Sequence, residues 1–167
     1  MSNKLNITFV RPPFEGMTDY CPPHMGIACL YGYLDKSFGG HICCTLVDAL
    51  SGRWSLEQVI QMIEDTFPDV ICITAKTMQV EQTIELLEFF RRTSCILICG
   101  GNHVSVEPDI FIESGANFAI VGEGEKPLRT IIKCLLDNDM EKIEEDNRII
   151  YDKNELSKIS IRKKIFI

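Results

Sequence analysis

The 167-residue sequence predicts an α/β fold: a flavodoxin-like (Rossmann-like) five-stranded parallel sheet with helices on both faces. Three observations carry that expectation. Short apolar runs alternate with helix-spaced stretches five times along the chain. Val70–Thr74 is a continuous β-rich run, typical of a strand buried on both faces. Two glycine-rich loops, Gly100-Gly101-Asn102-His103 and Gly122-Glu123-Gly124-Glu125, each follow an apolar run and precede a helical stretch. In parallel sheets the loops leaving the strands' carboxyl ends bind ligands, and glycine lets a backbone approach one closely. Two such loops on neighbouring strands suggest one broad ligand lying across the end of the sheet.

Leu5–Val10 reads as the first strand. A long loop, Arg11 to Pro23, follows with four prolines and Gly16. Gly26–Phe38 places Ile27, Leu30, Tyr31, Leu34 and Phe38 on one helix face, and Gly39-Gly40 ends it. Ile42–Val47 is the second strand, with Asp48 at its exit. Ser55-Leu56-Glu57-Gln58 has the form of a capping box opening a helix to Thr66. Pro68-Asp69 turns the chain into the third strand, Val70–Thr74. Val80, Ile84, Leu87 and Phe90 mark the next helix, and Cys95–Cys99 the fourth strand. Ser105-Val106-Glu107-Pro108 starts a short helix that Gly115 ends, and Phe118–Val121 is the fifth strand. Pro127 lies near the start of a last helix with a stripe of Leu128, Ile131, Ile132 and Leu135. Residues 1–140 are expected to form the domain and 141–167 an extension or linker, in which Arg148–Tyr151 is a candidate extra edge strand.

The composition fits an ordinary soluble domain large enough for its own core, with 46% hydrophobic and 25% charged residues. A net charge of −7 argues against a nucleic-acid partner. No apolar stretch approaches the ~20 residues of a membrane span, and the start of the chain shows no signal peptide, so a cytoplasmic protein is expected. Eight cysteines are many, but several sit inside apolar runs and none forms a Cys-x-x-Cys pair. Reduced thiols are expected, and neither a zinc nor an iron–sulfur site.

Several ligands are disfavoured by what their chemistry needs. Neither glycine loop is a Walker loop, Gly122-x-Gly124-x-x-Pro127 lacks the third glycine of a dinucleotide fingerprint, and Arg11-Pro12-Pro13 stands where a receiver domain carries paired acids. No nucleophile elbow occurs, and no catalytic residue is assigned. His103 reads as a helix cap in preference to a ligand, and His24 as the start of the first helix. The Pro12–Pro23 loop reads equally as a lid and as an ordered surface loop. Glu123 and Glu125 either touch ligand amides or favour the positive end of the next helix, and Lys76 reaches a phosphate or, more simply, solvent.

Taken in order, Pro22-Pro23-His24-Met25-Gly26-Ile27, Val47-Asp48-Ala49, Pro68 to Thr74, Cys99-Gly100-Gly101-Asn102-His103-Val104 and Val121-Gly122-Glu123-Gly124-Glu125 resemble a known pattern. It is that of the amino-terminal cobalamin-binding domain of cobalamin-dependent radical S-adenosylmethionine enzymes, and it covers about residues 5 to 137. The resemblance implies a corrin over the carboxyl ends of the strands and a nucleotide tail inserted beside the sheet. It implies cofactor-binding roles for Thr74, Ala75, Lys76, Gly100, Gly101, Asn102, His103, Gly122, Glu123, Gly124 and Glu125, with the Thr74 hydroxyl and the glycines walling the tail. The Asp-x-His-x-x-Gly motif, whose histidine ligates cobalt in other carriers, is missing, so base-off binding without a histidine ligand is expected. The Cys-x-x-x-Cys-x-x-Cys motif of the radical domain is also missing. The implied role is therefore a carrier module for a radical S-adenosylmethionine methyltransferase or related enzyme, in cis or in trans. Two other readings remain at this point: an enzyme with a nucleotide-type substrate, and a domain of the same fold that only docks a partner.

Overall fold

The computed structural model describes residues 4–14, 16, 22–156 and 159. Six strands form one sheet: β1 (Leu5–Arg11), β2 (Ile42–Asp48), β3 (Val70–Thr74), β4 (Ile96–Gly100), β5 (Phe118–Ile120) and β6 (Ile149–Ile150). Their spatial order is β2-β1-β3-β4-β5-β6. The first five pair in parallel, and β6 runs antiparallel against β5. The sheet is thus six-stranded and mixed, which corrects the expectation of five parallel strands. The sixth strand is made by a tight turn: the Arg148 guanidinium donates to both Asp146 carboxylate oxygens, at 2.8 and 2.6 Å. Val121 N–H then donates to the Arg148 carbonyl at 2.9 Å, seating the strand on β5.

The helices are α1 (Met25–Phe38), α2 (Ala49–Gly52), α3 (Leu56–Asp65), α4 (Val80–Phe90), α5 (Asp109–Glu113), α6 (Glu125–Asp137) and α7 (Lys153–Leu156). Strand side chains alternate between two cores, as the pleat requires. Leu5, Ile7 and Phe9, with Val70 and Cys72, Ile96 and Ile98, and Phe118 and Ile120, pack under α1 and α6. Val10, Ile71, Ile73, Leu97, Cys99 and Ala119 pack under α3, α4 and α5 on the opposite face. Ile143 and Ile149, beyond α6, are buried in the α1/α6 core.

The capping box is present in full. Ser55 Oγ accepts from Gln58 N–H at 3.4 Å, and Gln58 Oε1 accepts from Ser55 N–H at 2.9 Å. Other local expectations shift. The buried residues of α4 are Thr83, Leu86, Leu87 and Phe90, so Val80 and Ile84 flank the stripe. Tyr31 is exposed on α1, where Ile27 and Leu34 carry the burial. Strand β4 begins at Ile96, one residue after Cys95, and α5 begins at Asp109, after a series of turns. Cys43, expected within an apolar run, is exposed on the edge strand β2. Residues 15 and 17–21 of the first loop, and 157, 158 and 160–167 of the tail, lie outside the described residues, so the lid and linker readings go undescribed. Among the described residues no helix is long and apolar enough to cross a membrane.

Candidate functional site: a cleft at the carboxyl end of the sheet

Parallel strands bring their carboxyl ends to one edge, and on the α1/α6 side that edge opens into a cleft of about 470 Å³. Its floor is apolar sheet: Phe9, Cys72, Ile98 and Ile120 from four neighbouring strands. Burial pushes the Cys72 thiol far above its ordinary value, so it stays neutral and acts as one more apolar group. Ile27 and Leu30 of α1 form one wall, and Leu128 of α6 the other. The mouth is polar and thin-walled, made by Arg11, His24, Thr74, Lys76, Gly100, Gly101, Asn102 and the Gly122–Glu125 loop.

The glycines divide into two roles. Strand alternation puts Gly100 on the same face as Ile96 and Ile98. A Cβ built there would meet only Ile120 Cβ, at 4.0 Å, so the missing side chain is cleft volume. Gly101 has φ +110°, and a Cβ there would lie 2.8 Å from the Ala75 carbonyl oxygen and 3.0 Å from Thr74 Oγ1. Its bareness lets the loops after β3 and β4 touch, a role the sequence did not suggest. Those loops are stitched further: Ala75 N–H donates to the Gly100 carbonyl at 2.8 Å, and His103 N–H to the Ala75 carbonyl at 3.1 Å.

Thr74, Lys76, Gly100, Gly101, Asn102, Gly122, Glu123, Gly124 and Glu125 are therefore brought together around one cleft. Ala75 and His103 are not part of its lining. Ala75 is fully buried in the opposite core. His103 is turned toward Thr77 Oγ1, at 3.3 Å from Nδ1, and Glu107, at 3.6 Å from Nε2, with its ring edge-on to Phe111. It does not cap α5, whose N-cap is Pro108.

Four contributors were given no binding role from the sequence, although His24 was read correctly there as the start of the first helix. Arg11 and Asp48, at the ends of β1 and β2, form a buried ion pair at 3.4 Å, and Arg11 also donates to the Pro22 carbonyl at 3.0 Å. Asp48 in turn accepts from the amides of Leu50 and Ser51, capping α2. Ser105 Oγ donates to the Gly101 carbonyl and accepts from Gly122 N–H at 2.9 Å, tying the two glycine loops together. His24 is the N-cap of α1, its Nδ1 accepting from Ile27 N–H at 3.1 Å. Burial first, then the nearby charges of Arg11 and Lys76, hold the His24 pKa below its ordinary value. A signal for Ser105 and for the Arg11–Asp48 pair is absent from the sequence, because each contact joins segments far apart in the chain.

The B12-binding domain model matches residues 18–132. The chain belongs to the B12-binding domain family. The family implies cobalamin as the cofactor. No curated protein and no solved structure matches the chain. The residues present fit a cobalamin: an apolar-floored cleft beside the sheet suits a flat aromatic base, and Gly100 leaves open a space that a side chain would fill.

Proposed function

We propose that this B12-binding domain holds cobalamin base-off, with no histidine on the cobalt, and serves as the carrier module of a radical S-adenosylmethionine methyltransferase or related enzyme, in cis or in trans. One observation carries the reading: the cleft runs from the carboxyl ends of the strands down between the sheet and helices α1 and α6. Phe9, Cys72, Ile98 and Ile120 would hold the nucleotide base, away from the cobalt of its own corrin. Gly100, the Thr74 hydroxyl and the Gly122–Glu125 loop would border that base and its sugar-phosphate. Lys76 is exposed at the mouth, where a cation suits the phosphodiester. Met25, on the cleft wall, is exposed, and Met78 and Val106 are large apolar residues exposed on the segments that follow β3 and β4.

The histidines support the same account. His41 lies beside the amino end of β2, at the edge opposite the cleft. Both nitrogens of His103 face protein groups, and Nδ1 of His24 is occupied by the α1 cap. When bound, a corrinoid supplies a cobalt able to accept and pass on a methyl group; this chain's residues seat the tail and leave the lower face without a protein nitrogen. The resemblance over residues 5 to 137 supports the radical-enzyme partner.

The test is direct. After incubation with hydroxocobalamin, the corrin should co-elute with the protein on gel filtration. Electron paramagnetic resonance of the Co(II) form should show no superhyperfine splitting from an axial nitrogen. A colourless protein peak at saturating ligand rejects the cobalamin reading; splitting that disappears in His24→Ala or His103→Ala rejects the absence of a histidine ligand.

A further inference from the structure

The Pro-Pro-His-Met-Gly segment before α1 does more than start a helix. Nδ1 of His24 accepts the Ile27 amide, and the His24 carbonyl accepts the Ala28 amide at 3.1 Å. An accepting Nδ1 keeps its lone pair, so the neutral ring carries its proton on Nε2. Gly26 makes the arrangement fit: a Cβ there would lie 3.2 Å from His24 Cε1 and 3.5 Å from Nδ1. The ring therefore folds back over its own helix, while His24, Met25, Gly26, Ile27 and Leu30 form a wall of the cleft.

The charges around the ring come from every neighbouring strand end. Arg11 ends β1, Lys76 follows β3, and Asp48 ends β2, already paired with Arg11. Glu123 and Glu125 line the same cleft from the β5–α6 connection. A proton on Nδ1 would turn the cap's acceptor into a donor facing the Ile27 N–H. It would also place a positive charge at the positive end of the α1 dipole, beside Arg11 and Lys76.

We propose that His24 is a positioning residue acting as an acid-sensitive latch: neutral, it holds the first turn of α1 against the cleft, and protonated, it releases that turn and the grip on the corrinoid. The proposal rests on the cobalamin reading above. The sign follows from the direction of the shift. Because the folded protein disfavours the proton, the latch is fully closed above the ordinary value of 6.5 and opens as pH falls through the lowered one. The same geometry withholds His24 from cobalt, since freeing an Nε2 lone pair requires moving the proton to Nδ1 and breaking the cap.

Two experiments on the whole chain test it. In the first, hydroxocobalamin affinity is measured at about pH 8 and about pH 5 for wild type, His24→Ala, His24→Asn and His41→Asn. Wild type and His41→Asn should weaken by about tenfold on acidification. His24→Ala should be weak at both, and His24→Asn, whose amide oxygen also caps helices, should recover most of that loss and show no such pH dependence. In the second, nitrogen NMR of the ligand-free protein should show His24 protonated on Nε2, and its titration should move the Ile27 amide. Wild-type affinity in His24→Ala at pH 8, a wild-type pH profile in His24→Asn, an Nδ1–H tautomer, or an Ile27 amide indifferent to the titration each overturns the latch. Failure of every protein to bind at pH 8 overturns the cobalamin reading and the latch's effect on ligand together. Normal binding with an indifferent Ile27 amide overturns the latch alone.

Discussion

On the α3/α4/α5 face the core is closed up to the ends of the strands: Val10, Ile73, Cys99 and Ala119 lie beneath Ala75, Val104 and Phe111, all buried. On the α1/α6 face the same level holds Phe9, Cys72, Ile98 and Ile120, but above them stand Gly100, Gly122 and Gly124 and the half-buried His24. The strands are shared, so the strand pattern is not what separates the two. What differs is side-chain volume at the carboxyl ends. One face spends its last positions on packing; the other leaves them bare and gains a slot.

The largest expected effect comes from filling the bare side. Gly100→Leu should reduce cobalamin affinity by at least about a hundredfold, because the new side chain projects into the slot beside Ile120. Its melting temperature should stay within about 2 °C of wild type, since the Cβ meets nothing closer than ordinary contact. Parallel titration and thermal melts check both halves; a stable variant that binds normally removes Gly100 from the tail's path.

The complementary change hollows the closed side. Leu87, on α4, is fully buried against the sheet's α3/α4/α5 core, and Leu87→Ala should cost about 2–5 kcal/mol in urea unfolding. One cobalamin per chain should still be retained at saturation, because the lesion lies across the sheet from the slot. A loss of binding larger than the loss of folded protein would mean that the faces are coupled.

A smaller effect sharpens the mouth of the slot. Thr74→Val keeps the shape and removes one hydroxyl, so affinity should fall by about fivefold, on the order of 1 kcal/mol. An unchanged affinity in equilibrium titration would assign the Thr74 hydroxyl to the packing of the β3 and β4 loops alone.

These contrasts mark how far the sequence could be read. Strands and long helices were legible because alternation and the 3.6-residue period are local signals, and the Ser55–Gln58 box is four adjacent residues. The sixth strand, Ile149–Ile150, falls inside the Arg148–Tyr151 segment read as a candidate edge strand, but its antiparallel seat on β5 was not legible, because it depends on the turn that Asp146 and Arg148 fold. The glycine loops were legible as ligand loops, but the division of labour between Gly100 and Gly101 was not. Adjacent glycines in the sequence are equivalent until a strand's pleat sends one position into the slot and a positive φ turns the other toward Ala75. The apolar floor was hidden for a related reason: Phe9, Cys72, Ile98 and Ile120 look like any other inward strand residues until the fold sets Ile27, Leu30 and Leu128 around them as the walls of a cleft. The cap by His24 was visible only as a histidine before a helix, because its tautomer is decided by the Ile27 amide.

The central claim is that the open half of the α1/α6 face receives the nucleotide tail of cobalamin. Cobinamide carries the same corrin and cobalt without that tail, so the affinities of the two for the wild-type chain, measured by the same titration, isolate the slot. The account predicts that cobalamin binds at least about a hundredfold tighter, a difference of roughly 2.7 kcal/mol, and that Gly100→Leu abolishes the preference. Equal affinities for cobalamin and cobinamide in the wild-type protein would contradict it.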